Sequence, residues 1–169
     1  MKALLLMAAA FALSVPVSAQ ELRTAPFYVA QVAQYGSHGQ IDLPDDKVTP
    51  GVIATTDRQT IVSTAWGKDA RHVTQKMKVE ACLAYGVTKG CPGKGYELDH
   101  RVPRCAGGAD DERNLWPQPA PQFHWKDRLE TRVCKELKDG KISVGRAQAI
   151  FLGDWVDGYV KEYGKLPGK

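Results

Sequence analysis

The sequence predicts an α+β fold stabilised by disulfides, and three observations carry that expectation. The composition, 43% hydrophobic and 25% charged over 169 residues with a mean hydropathy of −0.34, suits a globular chain with a genuine core. It excludes a disordered polyelectrolyte and a collagen-like repeat. Between Tyr96 and Lys138 the pattern runs strand, loop, strand and then a helical apolar period. Finally, four cysteines, an even number, sit in a chain that opens with an export signal, which makes two disulfides the expected use of them.

The elements follow in order. Lys2 precedes an apolar run from Ala3 to Leu13, and the small residues Val17, Ser18 and Ala19 close it. A positive start, a short apolar core and a small-residue exit describe a secretory signal peptide over residues 1–19. The run falls short of the ~20 apolar residues needed to cross a bilayer. The expected product is therefore one compact domain, residues 20–169, exported to the periplasm or beyond the cell, without a membrane anchor. The formal net charge of +4 is compatible with a polyanionic partner but too small to identify one.

Residues 20–68 read as an irregular segment packing on the domain, broken by Gly36, Gly39, Pro44, Pro50 and Gly51, with short strand candidates at 52–54 and 60–63. The main domain spans 69–163. Val73, Met77, Ala81 or Cys82, and Ala84 predict a helix from Asp69 to Tyr85, stopped by Gly86. A loop from Lys89 to Gly95 leads to a strand from Tyr96 to Val102 and a polar turn from Ala106 to Arg113. A short strand at Leu115 and Trp116 is expected to end at the prolines 117, 119 and 121. Leu129, Val133 and Leu137 then mark a helix from Phe123 to Lys138, ended by Gly140. Ser143 caps a last helix that carries Ala147, Ile150 and Phe151, with Trp155 continuing its apolar face.

Cys82, Cys91, Cys105 and Cys134 lack the close pairs that zinc favours. Three disulfide pairings are open. Cys82–Cys91 with Cys105–Cys134 is preferred, because the first closes a short glycine-containing loop and the second clamps a loop onto the following helix.

Four polar residues of different types gather in the strand–loop–strand–helix stretch: Asp99, His100, Asn114 and His124. A neutral imidazole near pH 7 suits His100 to general-base work. A carboxylate at Asp99 and an imidazole at His124 are ligands for a hard cation. Asn114, the only asparagine of the chain, has an amide that both donates and accepts, and can tie the long loop into the shape that aims His100. His38 and His72 belong to no such grouping. A glycosidase using Glu97 and Asp99 is a weaker reading, because residues two apart on a strand lie close together and His100, Asn114 and His124 are left idle.

The run Leu98-Asp99-His100-Arg101-Val102-Pro103, followed by Gly107-Gly108, Asn114-Leu115-Trp116 and Lys126-Asp127-Arg128-Leu129-Glu130, resembles an HNH endonuclease. The resemblance implies a ββα-metal (His-Me finger) core with additional flanking helices. By position, His100 falls on the base that activates water, Asp99 on a metal ligand, Asn114 on the loop-holding asparagine, and His124 on the last ligand, with Asp127 as its alternative. The implied reaction is metal-assisted hydrolysis of DNA, with RNA as a further substrate, and with little sequence specificity. The divalent ion would be Mg²⁺ or Mn²⁺, with Zn²⁺ or Ni²⁺ as alternatives. Arg101 and Arg104 are candidates to neutralise the reacting phosphate. Arg104, Lys126, Arg128 and Arg132, with Lys135 and Lys138, are candidates for phosphate contacts. Asp127, Glu130, Glu136 and Asp139 alternate with these cations, a pattern that intrahelical ion pairs explain equally well. The competing reading is a catalytically silent scaffold that binds nucleic acid or protein. The chain is taken as a monomer, and no feature identifies an inhibitor protein.

Overall fold

The computed structural model describes residues 33–34, 42–89, 91–93 and 95–166. The expected signal segment 1–19 and His38 lie outside the described residues. The elements are β1 (Ala33–Gln34), β2 (Asp42–Leu43), α1 (Arg58–Ile61), α2 (Thr64–Lys68), α3 (Gln75–Ala84), β3 (Tyr96–His100), β4 (Leu115–Pro119), α4 (Gln122–Lys138), α5 (Val144–Leu152) and α6 (Trp155–Tyr163). The class is α+β, as expected. β1 pairs with β2, and β3 pairs antiparallel with β4 from Tyr96 opposite Pro119 to His100 opposite Leu115. Among the described residues no helix is long and apolar enough to cross a membrane.

β4 runs through the prolines that were expected to end it. Just beyond the paired strands, Arg101 N–H donates to the Asn114 carbonyl at 2.7 Å. In an antiparallel ladder bonded and non-bonded pairs alternate, so Trp116 and Gln118 hold bonded positions opposite Asp99 and Glu97. Pro117 and Pro119 fall between them, where the missing N–H points off the ladder and costs no hydrogen bond.

Two further corrections concern helices. α3 begins at Gln75 rather than Asp69, because Thr74 is its cap, with its hydroxyl accepting from Met77 N–H at 3.2 Å. Residues 69–73 stay outside the helix because their polar groups are bound elsewhere. Asp69 pairs with Arg104 at 2.8 Å, and His72 N–H donates to Asp110 at 2.7 Å. The expected last helix is two helices. Ser143 caps the first, accepting from Arg146 N–H at 3.1 Å, and Asp154 caps the second, accepting from Val156 N–H at 2.8 Å. The strand candidate at 60–63 is instead the end of α1 and the Ser63 cap of α2. That at 52–54 makes only an isolated bridge, Ile53 to Gly108.

The apolar stripe of α4, Leu129, Val133 and Leu137, is fully buried against Val102 and Ala106 from the β3–β4 loop and against Ala147, Phe151, Trp155, Val156 and Tyr159 from α5 and α6. On the other side of the hairpin, Leu98 and Leu115 pack with Ala81 and Cys82 of α3, while Trp116 packs with Val48 and Tyr85. The hairpin is thus held between α3 and the C-terminal helices.

The disulfides are Cys82–Cys91 and Cys105–Cys134, with Cα–Cα distances of 5.9 and 5.6 Å. The second joins the turn after β3 to the middle of α4. Replacing Cys105 and Cys134 together by serine is expected to lower the unfolding free energy by roughly 3–4 kcal/mol, since the bridge closes a loop of 29 residues in the unfolded chain. Urea denaturation at equilibrium measures it.

Candidate active-site cleft

The long loop between β3 and β4, residues 101–114, is shaped by two glycines and one amide. Gly107 has a φ of +88°, and a Cβ on it would run into the Thr55 carbonyl oxygen. A Cβ on Gly108 would overlap the carbonyl of Val102. Asn114 is completely buried. Its Oδ1 accepts from Val102 N–H at 2.9 Å, and its Nδ2 donates to the carbonyls of Val102 at 3.0 Å and Ala109 at 2.9 Å. The loop therefore folds back on itself and returns Asp110 to the end of β3.

There Asp110 meets His100. The imidazole is 3% exposed. Its Nε2 lies 2.7 Å from Asp110 Oδ1, and its Nδ1 lies 2.7 Å from Arg71 Nη2. A guanidinium only donates, so Nδ1 carries the lone pair and Nε2–H donates to the carboxylate. The ring is neutral in a single tautomer. Burial and the Arg71 charge hold the His100 pKa below its usual 6.5, against the opposing pull of Asp110. Asp110 also receives His72 N–H and lies 3.2 Å from Arg104. Burial works against its charge, but these partners keep its carboxyl below the usual range.

Asp99 is held from both sides. Its Oδ1 accepts from His100 N–H at 2.7 Å, and its Oδ2 accepts from Lys126 Nζ at 2.6 Å. Lys126, on the first turns of α4 and 1% exposed, also donates to the His100 carbonyl at 2.7 Å and to Glu130. Burial opposes the lysine charge, yet the two carboxylates raise its pKa above the ordinary lysine range. One ammonium serves two carboxylates, so burial and the surplus negative charge push Glu130 up to about 7.

Asp99, His100 and Glu130 border a cleft of about 410 Å³ whose walls also include Trp66, Arg71, Glu97 and Arg104. A second cavity of about 580 Å³ has Lys78, Tyr96 and Phe123 in its wall, and Arg71 and Glu97 border both. Glu97 and Asp127 are raised by burial and by neighbouring carboxylates, Asp99 acting on both.

The structure brings Asp99 and His100 to the cleft and places Asn114 behind them. His124 stands in the first turn of α4 with its ring against Phe123, centroids 4.2 Å apart. Its charge acts on Glu97 and Asp127. A divalent ion shared by Asp99 and His124 does not fit this arrangement, because Lys126 already neutralises Asp99. No three His, Cys, Asp or Glu side chains among the described residues are placed to hold an ion, with Asp127 as ligand or without it.

Most of the expected phosphate contacts are committed elsewhere. Arg101 is buried, bonding Asp46 and the carbonyls of Thr49 and Leu152, so it ties the chain around residues 46–49 to the end of α5. Arg128 lies over the Tyr163 ring and Arg132 pairs with Glu136 and Glu162. Lys135 pairs with Asp139. Arg104 does border the cleft, bound to Asp69 and Asp110 and lying 5.2 Å from the Trp66 ring centroid. Sequence reasoning missed Arg71, Asp110 and Glu130. Asp110 was within reach of it, since a loop tied by Asn114 must return an acidic turn toward β3, whereas Arg71 was hidden by the helix expected from Asp69.

Compared with known protein families, curated proteins and solved structures, the chain matches none of them.

Two outcomes are expected from this geometry. Asn114→Ala strands the buried Val102 N–H and should cost about 2–3 kcal/mol in denaturant unfolding. In NMR titrations His100 should ionise below 6.5, lower still in Asp110→Asn and higher in Arg71→Ala. Because the folded pKa lies below the unfolded one, the His100 contribution to stability is complete above pH 6.5. It is lost as pH falls from there through the folded value.

Proposed function

We propose that the chain is an exported nuclease that hydrolyses phosphodiester bonds of DNA, and of RNA, with little sequence specificity. The observation that carries this reading is the Asp110–His100 pair at the cleft, a neutral imidazole whose Nε2–H is fixed by a carboxylate and whose Nδ1 lone pair faces Arg71. Such a pair suits general-base chemistry. His100 Nδ1 takes a proton from water, the resulting hydroxide adds to phosphorus, and the bond from phosphorus to one ester oxygen breaks. The departing oxygen takes its proton from solvent. Asp110 orients the ring and stabilises the imidazolium formed. Lys126 touches no substrate in this scheme; it positions Asp99 and the His100 backbone. No step runs through a metal ion, since the residues at Asp99 do not fit one. Two disulfides support an oxidising compartment.

One observation favours a second reading, a scaffold that binds nucleic acid without cutting it: Lys126 already neutralises Asp99.

The test incubates the disulfide-bonded protein with supercoiled plasmid and with RNA. Reactions run in EDTA and then with Mg²⁺, Mn²⁺, Zn²⁺ or Ni²⁺ restored, beside His100→Ala. Cleavage that falls roughly 100-fold or more in the variant is expected of a lost general base. Absence of cleavage by folded protein under every condition favours the scaffold. Strict dependence on an added ion would mean that Lys126 leaves Asp99 in the active state.

A further inference from the structure

The cations around the cleft are nearly all neutralised by the protein itself. Arg104 is paired with Asp69 and Asp110, and Lys126 with Asp99 and Glu130. Arg71 differs. Among the described residues it makes no ion pair, and its one hydrogen bond goes to the uncharged Nδ1 of His100.

Resting on the nuclease reading, we propose that Arg71 binds the substrate phosphate, exchanging His100 Nδ1 for a phosphate oxygen as the strand enters. The exchange is favourable on chemical grounds, because a guanidinium bonds an anionic oxygen about twice as strongly as a neutral acceptor, and in a matched fork. It is also mechanically easy. Arg71 is an exposed residue of the non-helical stretch ahead of α3, so its side chain swings without disturbing the core. A phosphate held there lies beside His100. Departure of the guanidinium also uncovers the lone pair that must take the proton from water.

The position of Arg71 at the border of both cavities extends the inference to the substrate's path. A strand anchored by Arg71 has the His100 cleft on one side and, on the other, the cavity bordered by Lys78, Tyr96 and Phe123. A cation and two aromatic rings are suited to the next phosphate and its base in single-stranded nucleic acid.

The test measures binding of a fluorescent single-stranded DNA oligonucleotide, made with cleavage-resistant phosphorothioate linkages, by anisotropy across a salt series, with the disulfide-bonded wild type, Arg71→Ala and Arg71→Lys. The expected result for Arg71→Ala is binding weaker by about tenfold or more, with the slope of log K against log salt smaller by about 0.7, the value for one phosphate contact on a single strand. Arg71→Lys should restore the slope. Wild-type affinity and slope in Arg71→Ala would overturn the proposal, and so would weaker binding with an unchanged slope, which reports damaged structure rather than a lost phosphate contact. Failure of the wild type to bind the oligonucleotide would overturn it too. The nuclease reading fails separately, if His100→Ala cleaves as fast as the wild type.

Discussion

The ammonium group of Lys126 joins the hairpin to the helix that follows it. It reaches from α4 to the Asp99 carboxylate, the His100 carbonyl and Glu130, and is itself almost wholly shielded from water. A lone ammonium so deeply buried would be prohibitive. The three are stable only as a set, and removing one member of such a buried pair typically costs 3–5 kcal/mol. The direction of His100 follows from this set. Lys126 and Asp99 fix the backbone at the end of β3, Asn114 folds the loop, and Asp110 arrives at Nε2.

Much of this was legible in the sequence, for identifiable reasons. The apolar period of α4, the Ser143 cap and the stop at Gly140 are local signals, and tertiary packing reinforces rather than overrides them. The loop-holding character of Asn114 could be argued from its chemistry alone. What failed depended on register or on distant partners. Whether Pro117 breaks a strand depends on which positions face the ladder, and that is a property of the pair, not of β4 alone. The apolar spacing from Val73 onward looked helical, but polar bonds to Arg104 and Asp110 hold residues 69–73 out of the helix. Arg101 carried the right charge beside the right histidine, yet its partners are the distant Asp46, Thr49 and Leu152.

The cleft combines opposite electrostatic tendencies. Burial and an adjacent guanidinium keep His100 neutral, whereas burial and mutual repulsion make Glu97, Asp127 and Glu130 reluctant to hold their charge. Both effects reduce the number of charged groups inside the cleft. The raised carboxyl groups leave the cleft less negative than its count of acidic residues suggests.

The walls of the cleft also bear on modularity. Trp66 and Arg71 precede α3, His100 ends β3, Asp127 and Glu130 belong to α4, and Arg101 anchors its loop to residues on either side of the hairpin. A fragment trimmed to strand, loop, strand and helix would keep the histidine but lose one wall, the guanidinium on its Nδ1 and the core beneath α4. The hairpin that carries His100 is consequently not a cassette that can be cut out and grafted. Any transplant of this cleft must carry the segment before α3 and the two C-terminal helices with it.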